Sequence, residues 1–192
     1  MSQDILKQFE EAGAFLSGHF ELSSGRHSDR YLQCALLLQD PERAEKLCKA
    51  LAGRFRGKGT SVVIGPALGG VLVAYEVARA LGARSLFAER VDGALQLRRN
   101  FKIQEKEKVL VVEDVVTTGG STQELVSLVR SEGAEVIGVG ALVDRSGGEV
   151  QYGAPFESLL ALKVESYSKE TCPLCKQGIP FTKPGSRSKG AP

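Results

Sequence analysis

The residues best suited to chemistry lie in one stretch, Val109–Thr122, which reads Val-Leu-Val-Val-Glu-Asp-Val-Val-Thr-Thr-Gly-Gly-Ser-Thr. Its four leading apolar residues are typical of a buried parallel strand, and the acidic pair would lie near the carboxyl end of that strand, where ligands bind in open α/β sheets. The Thr- and Gly-rich turn, at the start of a following helix, favours a phosphate. The adjacent carboxylates can accept hydrogen bonds from sugar hydroxyls. The stretch therefore predicts a site for a phosphorylated sugar.

Composition sets the broad class of the protein. The chain has 192 residues, of which 42% are hydrophobic and 25% are charged, so one domain with a sizeable core is expected. A net charge of +2 gives no reason to expect binding to nucleic acid or to a membrane surface. No apolar run reaches the roughly 18 residues of a membrane span. Residues 1–20 carry Asp4, Glu10 and Glu11 and do not resemble a signal peptide, so we expect a cytoplasmic protein.

Apolar periodicity predicts the secondary structure. Residues 2–13 show helical spacing, two short strands are expected between residues 18 and 34, and Asp40 would cap a helix that runs to about residue 55. From residue 61 onward strands and helices alternate, which is typical of a doubly wound α/β fold. The predicted strands are 61–65, 84–88, 108–114, 135–144 and 158–164, the predicted helices are 71–81 and 121–132, and the predicted flap is 89–107.

These elements predict one domain, residues 1–165, built on a mainly parallel five-stranded sheet flanked by helices. A small N-terminal hood would span about residues 1–35. Residues 166–192 are rich in Ser, Lys, Pro and Gly, a composition typical of a segment that loops over the surface. We expect this tail to pack on or near the domain.

The stretch Val109–Thr122 resembles the signature of the type I phosphoribosyltransferases, which is a hydrophobic strand, two acidic residues, two apolar residues and then Thr-x-Gly-x-Ser/Thr. In that family the signature binds the ribose 5-phosphate part of phosphoribosyl pyrophosphate (PRPP). The resemblance implies that Glu113 and Asp114 act in catalysis and hold the ribose hydroxyls. It assigns PRPP binding to Glu113, Asp114, Val115, Val116, Thr117, Thr118, Gly119, Gly120 and Ser121.

Three further segments resemble the orotate phosphoribosyltransferases within that family. They are the hood segment Gly18–Ser28, the strand end Val143–Arg145 and the loop Gly65–Ala67, which resembles a pyrophosphate loop. The resemblance implies that Arg145 and Thr117 contact orotate. Elementary chemistry agrees, because a guanidinium can bind the ring carboxylate of orotate through two parallel hydrogen bonds. Taken alone, Arg145 is more simply explained as a solvated loop arginine.

The resemblance implies a reaction in which orotate and PRPP give orotidine 5′-monophosphate and pyrophosphate. It also implies Mg²⁺ as the cofactor, held mainly by PRPP, because magnesium prefers waters and phosphate oxygens to a cage of protein ligands. The small-molecule substrates would be PRPP and orotate, and the expected assembly is a homodimer.

The sequence departs from the family where pyrophosphate would bind. The loop has Gly69 where many members carry a lysine, and the flap has no lysine before Lys102. Other groups must then contact the pyrophosphate. Arg26 in the hood could meet orotate or pyrophosphate, or could form a surface salt bridge. The further candidates are Gly69 in the loop, Arg90, Arg98 and Arg99 in the flap, and Lys183 and Arg187 in the tail. Alternatively, the tail could be a loose basic terminus without contact to the substrate.

The motif Cys172-Pro-Leu-Cys175 has the spacing of half a zinc knuckle, but the sequence offers no second pair at a suitable spacing. Other ligands could complete a site only if the fold brought them close. The residues able to do so are His19, His27, Cys34 and Cys48. We therefore expect plain thiols and no metal ligand from the chain.

Two other functions are open at this level. A purine or uracil phosphoribosyltransferase would share the signature, but its base pocket would have an aromatic stacking partner and backbone contacts rather than an arginine for a carboxylate. A regulator with the same fold could bind PRPP or a nucleotide without catalysis. This would explain why the flap lacks the lysines and the histidine that the mobile loop of the family usually carries. The sequence shows no helix-turn-helix extension or basic RNA-binding face in support of a regulator.

Overall fold

The computed structural model describes residues 2–22 and 24–184, in which helices and strands alternate along most of the chain. The helices are α1 (Ser2–Glu11), α2 (Cys34–Leu38), α3 (Pro41–Gly53), α4 (Gly69–Leu81), α5 (Gly120–Ser131) and α6 (Pro173–Lys176). The strands are β1 (Phe15–Glu21), β2 (His27–Leu32), β3 (Val62–Pro66), β4 (Arg84–Val91), β5 (Ala94–Leu97), β6 (Lys108–Val116), β7 (Glu135–Asp144) and β8 (Phe156–Ala161). Within these described ranges, no helix has both the length and the apolar character needed to cross a membrane.

Six strands form the central sheet in the order β5-β4-β3-β6-β7-β8. Neighbouring strands are parallel except β4 and β5, which form an antiparallel hairpin at one edge. The chain moves outward from β3 to β4 and then returns to the other side of β3 as β6. Because the order reverses between β3 and β6, the loops at their carboxyl ends diverge and open a crevice.

The sheet is covered by a hydrophobic core on each face. Val63 and Leu110 pack with α3 and α4 on one face, whereas Ile64 and Val111 pack with α5 on the other. Successive side chains of a strand point to opposite faces, so a strand that is buried on both faces needs an unbroken apolar run. Residues 109–112 of β6 meet this requirement, and all four are fully buried. The acidic pair that follows is thereby held at the end of a rigid strand.

The hood is a separate antiparallel pair of strands, β1 and β2, and the tail crosses it. Thr182 forms a parallel bridge with Phe20, and Tyr167 forms an antiparallel bridge with His27. The backbone hydrogen bonds at these two points measure 2.8–2.9 Å. Residues 167–182 are therefore attached to the hood at both ends, rather than only looping over the surface.

The predicted fold class is confirmed, since five parallel strands are flanked by helices. The predicted flap is the β4–β5 hairpin, which adds an antiparallel sixth strand at the sheet edge. Asp40 caps α3, and its side chain accepts hydrogen bonds from the N–H groups of Glu42 and Arg43. The sequence analysis does not predict α2 and α6, because elements of four or five residues are too short to show a helical period.

Candidate active site

A cleft of about 450 Å³ opens at the carboxyl end of β6, at the point where the strand order reverses. Residues 113–122 line it, so the acidic pair and the turn of the signature face one cavity. The hood, the residue after β7 and the tail supply the other walls. The structure thus brings the predicted sugar-phosphate residues together with Arg145 and Lys183.

The turn between β6 and α5 is shaped to receive an anion. Gly119 has a φ of +75°, and a Cβ atom there would lie 2.6 Å from Val150 Cγ1, so only glycine fits without a shift. Gly119 is the N-cap of α5, and no described side chain caps the helix there. The first N–H groups of a helix lack carbonyl partners within it, and the helix dipole adds partial positive charge. Residues 117–121 therefore offer donors to a phosphate.

The two acidic residues lie in different environments. Glu113 is buried, whereas Asp114 is half-buried and lines the cleft. Glu113 accepts a hydrogen bond of 3.1 Å from the Asp114 N–H, and Asp114 accepts one of 2.8 Å from the Val115 N–H. Burial raises the pKa of Glu113 well above its ordinary value, and the neighbouring Asp114 carboxylate raises it further. Both effects favour the protonated form of Glu113.

The loop between β3 and α4 packs against this acidic pair. A Cβ atom at Gly69 would lie 2.3 Å from Asp114 Oδ2, and one at Gly65 would lie 2.3 Å from the Gly70 carbonyl oxygen. A side chain at position 69 would displace the Asp114 carboxylate, which gives the missing lysine a steric reason, and one at position 65 would displace the backbone at the start of α4. The segment that resembles a pyrophosphate loop therefore lies beside the carboxylates expected to hold ribose.

Arg145 lies beside Thr117 at the end of the sheet, because Val116 of β6 and Asp144 of β7 are register partners. Its backbone N–H donates a hydrogen bond of 2.8 Å to the Val116 carbonyl oxygen. The side chain is half-buried and lines the cleft, and its buried Nε atom has no hydrogen-bond partner among the described residues. Burial lowers the pKa of Arg145. A buried donor on a cation without a partner is unfavourable, and a carboxylate ligand would supply that partner.

The hood contributes residues that the sequence analysis did not assign. Tyr31, Gln33 and Cys34 line the cleft. Burial raises the pKa values of the Tyr31 phenol and the Cys34 thiol, and the carboxylate of Asp114 raises both further. These residues closely follow the hood segment Gly18–Ser28 in the sequence. Their position after a segment that resembles the family could have predicted that they line the cleft.

Four arginines proposed from the sequence do not line the cleft in this arrangement. Arg26 donates from Nε to the Ser166 hydroxyl at 2.8 Å and also contacts the Ser166 carbonyl, so it connects the hood to the tail. Two of the flap arginines pair with acidic residues of this chain and the third is exposed after β5. They are Arg90 with Glu124 at 2.8 Å, Arg99 with Glu89 at 2.9 Å, and Arg98.

Lys183 and Pro184 of the tail line the cleft. The Lys183 ammonium forms an ion pair with Glu21 of β1. In the part of the chain that the structure describes, Lys183 and Arg145 are the cationic side chains of the cleft lining. Arg187 lies outside the described residues.

The fold supplies ligands that the sequence spacing did not reveal. His19 and His27 of the hood meet Cys172 and Cys175 of the tail, and their ligand atoms all lie within 4.8 Å of one another. The fold thus meets the condition under which other ligands could complete a site, because the second pair comes from residues distant in sequence. None of the four lines the cleft.

Comparison with known proteins agrees with this geometry. The model of the phosphoribosyl transferase domain family matches residues 36–163, and the chain belongs to this family. An orotate phosphoribosyltransferase of Pelotomaculum thermopropionicum is 60% identical over 184 residues, which cover 96% of this chain and 97% of that protein. One of Desulforamulus reducens is 57% identical over 185 residues, with 96% and 97% covered.

A crystal structure of orotate phosphoribosyltransferase from Aeropyrum pernix superposes with a TM-score of 0.71 at 31% identity. The match covers 83% of this chain and 94% of that chain. The resemblance to orotate phosphoribosyltransferases, first carried by the hood segment, the signature and the strand end at Arg145, is confirmed.

Proposed function

We propose that this protein transfers the ribose 5-phosphate group of PRPP to orotate, releasing orotidine 5′-monophosphate and pyrophosphate, a step of pyrimidine biosynthesis. The name shared by its relatives supports this reaction. The structural observation that carries the choice of base is the half-buried guanidinium of Arg145, which lies beside the turn proposed to bind phosphate. Its Nε atom has no hydrogen-bond partner among the described residues. Orotate brings a ring carboxylate, whereas uracil, adenine and hypoxanthine have none.

The proposed substrate arrangement follows the walls of the cleft. The 5-phosphate would accept hydrogen bonds from residues 117–121 at the start of α5, and the ribose hydroxyls would donate to Glu113 and Asp114. Orotate would lie between Thr117 and Arg145. The pyrophosphate would then extend toward Gly69, whose loop already contacts Asp114.

In the proposed mechanism the chain acts mainly by positioning and by electrostatics. Breaking the bond from ribose C1 to pyrophosphate develops positive charge on the sugar and negative charge on the leaving group. The acidic pair places negative charge next to the sugar, and burial of Glu113 favours its protonated form. Anchoring the phosphate and the base at fixed points holds C1 and the attacking nitrogen in line. Asp114→Asn should therefore lower kcat more than it changes the KM for orotate.

We also propose Mg²⁺ as the cofactor. Asp114 supplies a partly exposed carboxylate next to the Gly69 loop, and this donor fits a magnesium ion held through water together with phosphate oxygens. When bound, Mg²⁺ would neutralise charge on the pyrophosphate. This neutralisation matters here because the loop carries no lysine.

A homodimer is the proposed assembly. Leu68, Leu72 and Tyr75 follow one another at helical spacing at the start of α4, and they are 76%, 49% and 60% exposed. Three large apolar side chains on one exposed helix face suit a contact with a second copy of the chain. This stripe begins in the loop that would bind pyrophosphate, so the same contact would stabilise that loop.

A cytoplasmic location completes the proposal. All four cysteines are free thiols in the structure, and thiols persist in reducing compartments.

One assay tests the function against its alternatives. The protein is incubated with PRPP, Mg²⁺ and either orotate, uracil, adenine or hypoxanthine, and release of pyrophosphate is measured. We expect turnover with orotate. Turnover with another base but not with orotate would assign the protein to a purine or uracil phosphoribosyltransferase, and absence of turnover with all four would favour a regulator.

A further inference from the structure

A second cluster of reactive side chains lies outside the cleft, where the tail crosses the hood. It consists of His19 on β1, His27 at the start of β2, Cys172, and Cys175 in α6. Three of these side chains are buried and Cys175 is partly buried. The proposed transferase mechanism uses none of them.

Hydrogen bonding alone does not explain this cluster. His19 Nδ1 lies 2.7 Å from the Ile179 carbonyl oxygen, and because a carbonyl can only accept, Nδ1 carries the proton and Nε2 is left with one lone pair. Three atoms converge on that lone pair, namely His27 Nδ1 at 2.7 Å, Cys172 Sγ at 3.5 Å and Cys175 Sγ at 3.7 Å. One lone pair cannot accept three good hydrogen bonds, whereas a cation between the four atoms would use all of them.

The distances match those of a tetrahedral metal site. With metal–nitrogen distances of about 2.0–2.1 Å and metal–sulfur distances of about 2.3 Å, a nitrogen ligand and a sulfur ligand lie about 3.5 Å apart. Three of the four nitrogen–sulfur distances in the cluster are 3.3, 3.5 and 3.7 Å. The two ring nitrogens are closer than this geometry requires and would separate to about 3.3 Å on binding.

The surroundings of the cluster resemble those of a structural site. The hydrogen bond from His19 to Ile179 fixes the ring and its tautomer, which is the usual role of a partner behind a metal-binding histidine. The ring of Phe181 lies against both imidazoles, with centroid distances of 4.7 Å to His27 and 5.7 Å to His19. Backbone bridges at Tyr167 and Thr182 flank the cluster on the tail.

We propose that His19, His27, Cys172 and Cys175 bind one structural Zn²⁺ that fastens the tail to the hood. Two thiolates and two imidazoles in a tetrahedral arrangement suit zinc, and the charge of the two thiolates balances that of the ion. Four ligands from the chain leave no open position for a substrate or water, so the ion has a structural role. The site is independent of the Mg²⁺ proposed for the reaction.

The position of the zinc links it to the cleft. Lys183 follows the cluster closely in the tail and lines the cleft together with Pro184. By holding the tail on β1 and β2, the ion would keep Lys183 at the mouth of the substrate site. Loss of zinc should therefore raise the KM for PRPP and increase cleavage of the tail by added protease.

Metal content provides the direct test. Untagged, full-length protein that has been dialysed against a chelator should retain one zinc per chain by plasma mass spectrometry. Cys172→Ser and Cys175→Ser should each lose the zinc and lower Tm. The matched control is Cys48→Ala, which removes a buried thiol from α3 and should leave the zinc content unchanged.

A spectroscopic measurement keeps the test decisive if a serine variant fails to fold. Wild-type protein loaded with Co²⁺ should show the intense visible bands of tetrahedral cobalt and thiolate-to-cobalt charge transfer. Zinc-free protein without this spectrum would overturn the proposal, and so would zinc retained by both serine variants. A count of two reactive thiols instead of four in the denatured protein would show a Cys172–Cys175 disulfide in place of the metal.

Discussion

A buried guanidinium nitrogen without a hydrogen-bond partner raises the free energy of the free protein, and among the described residues the Nε atom of Arg145 is such a group. If the partner arrives with the substrate, the same residue meets the ring carboxylate in a preorganised and partly dry position. Arg145 would then lower the stability of the free protein and raise its affinity for orotate. A substitution that raises stability but weakens orotate binding would therefore show a binding role and not a structural one.

We predict that Arg145→Met raises the KM for orotate by roughly 10–100-fold, because two charge-assisted hydrogen bonds are lost. The KM for PRPP should change little, and Tm should stay constant or rise because an unpaired buried donor is removed. Steady-state kinetics and thermal unfolding check both results. Arg54→Met, which removes an exposed guanidinium paired with Glu157, is the control. A fall in Tm with unchanged orotate kinetics would give Arg145 a structural role.

The buried acid of the pair makes stability depend on pH. Because the folded pKa of Glu113 lies above its ordinary value of 4.5, its stabilising contribution is complete below about pH 4.5 and is lost as pH rises toward the folded pKa. We predict that Glu113→Gln raises Tm at pH 8, by roughly 2–4 °C for each kcal/mol of relieved desolvation. At pH 4 the variant and the wild type should unfold alike.

Thermal unfolding across this pH range is the measurement for Glu113. The matched control is Glu132→Gln, which removes a carboxylate at an exposed position after α5. An equal effect of Glu113→Gln at pH 4 and pH 8 would mean that folding does not raise the pKa of this carboxyl.

Among the elements that line the cleft, the tail depends on contacts with the hood for its position. Its contacts run to the hood, through the bridges at Tyr167 and Thr182 and the ion pair of Lys183 with Glu21. Lys183 is about half-exposed, so its electrostatic effect on a phosphate is screened by solvent.

We predict that Lys183→Met raises the KM for PRPP by a few-fold, on the order of 1 kcal/mol, and that the effect shrinks at high salt. Lys176→Met, in α6 and away from the cleft, should leave the kinetics unchanged. Deleting residues 182–192 should reproduce the Lys183 effect or exceed it. Unchanged PRPP kinetics after the deletion would remove the tail from the substrate site.

For the whole molecule, the exposed stripe on α4 determines the assembly that we expect. Leu72→Glu places a charge in the middle of an apolar contact and should convert the dimer to a monomer. Light scattering coupled to size exclusion measures this change. Lys49→Glu introduces the same charge on an exposed position of α3 and should leave the mass unchanged. A wild-type monomer at micromolar concentration would contradict the proposed homodimer.

Features that depend on short-range patterns of residues could be predicted from the sequence. Burial of β6 on both faces requires an apolar run, and the phosphate turn follows it without interruption, so Val109–Thr122 could be recognised from the chain alone. The placement of Arg145 beside Thr117 also followed, because parallel strands end at the same edge of a sheet.

Contacts between distant segments could not be predicted in this way. Cys172 and His19 are 153 residues apart, and no local periodicity records that they meet. The ion pair of Arg90 with Glu124 on α5, 34 residues away, is a second contact that no local pattern predicts. Side chains whose partner comes from another element need the fold to be known first.

The attachment of the tail to the hood also concerns how the protein is made. The two strands of the hood emerge early in synthesis, but Cys175 follows His27 by 148 residues. At a synthesis rate of about 5–20 residues per second, the segment that crosses the hood is made roughly 7–30 s after the hood itself. A chain interrupted before residue 167 can contain the complete central sheet, yet it has neither the bridges to β1 and β2 nor Lys183 at the cleft. The tail is therefore made after the central sheet, and the contribution proposed for Lys183 is available only once residues 167–183 have been translated.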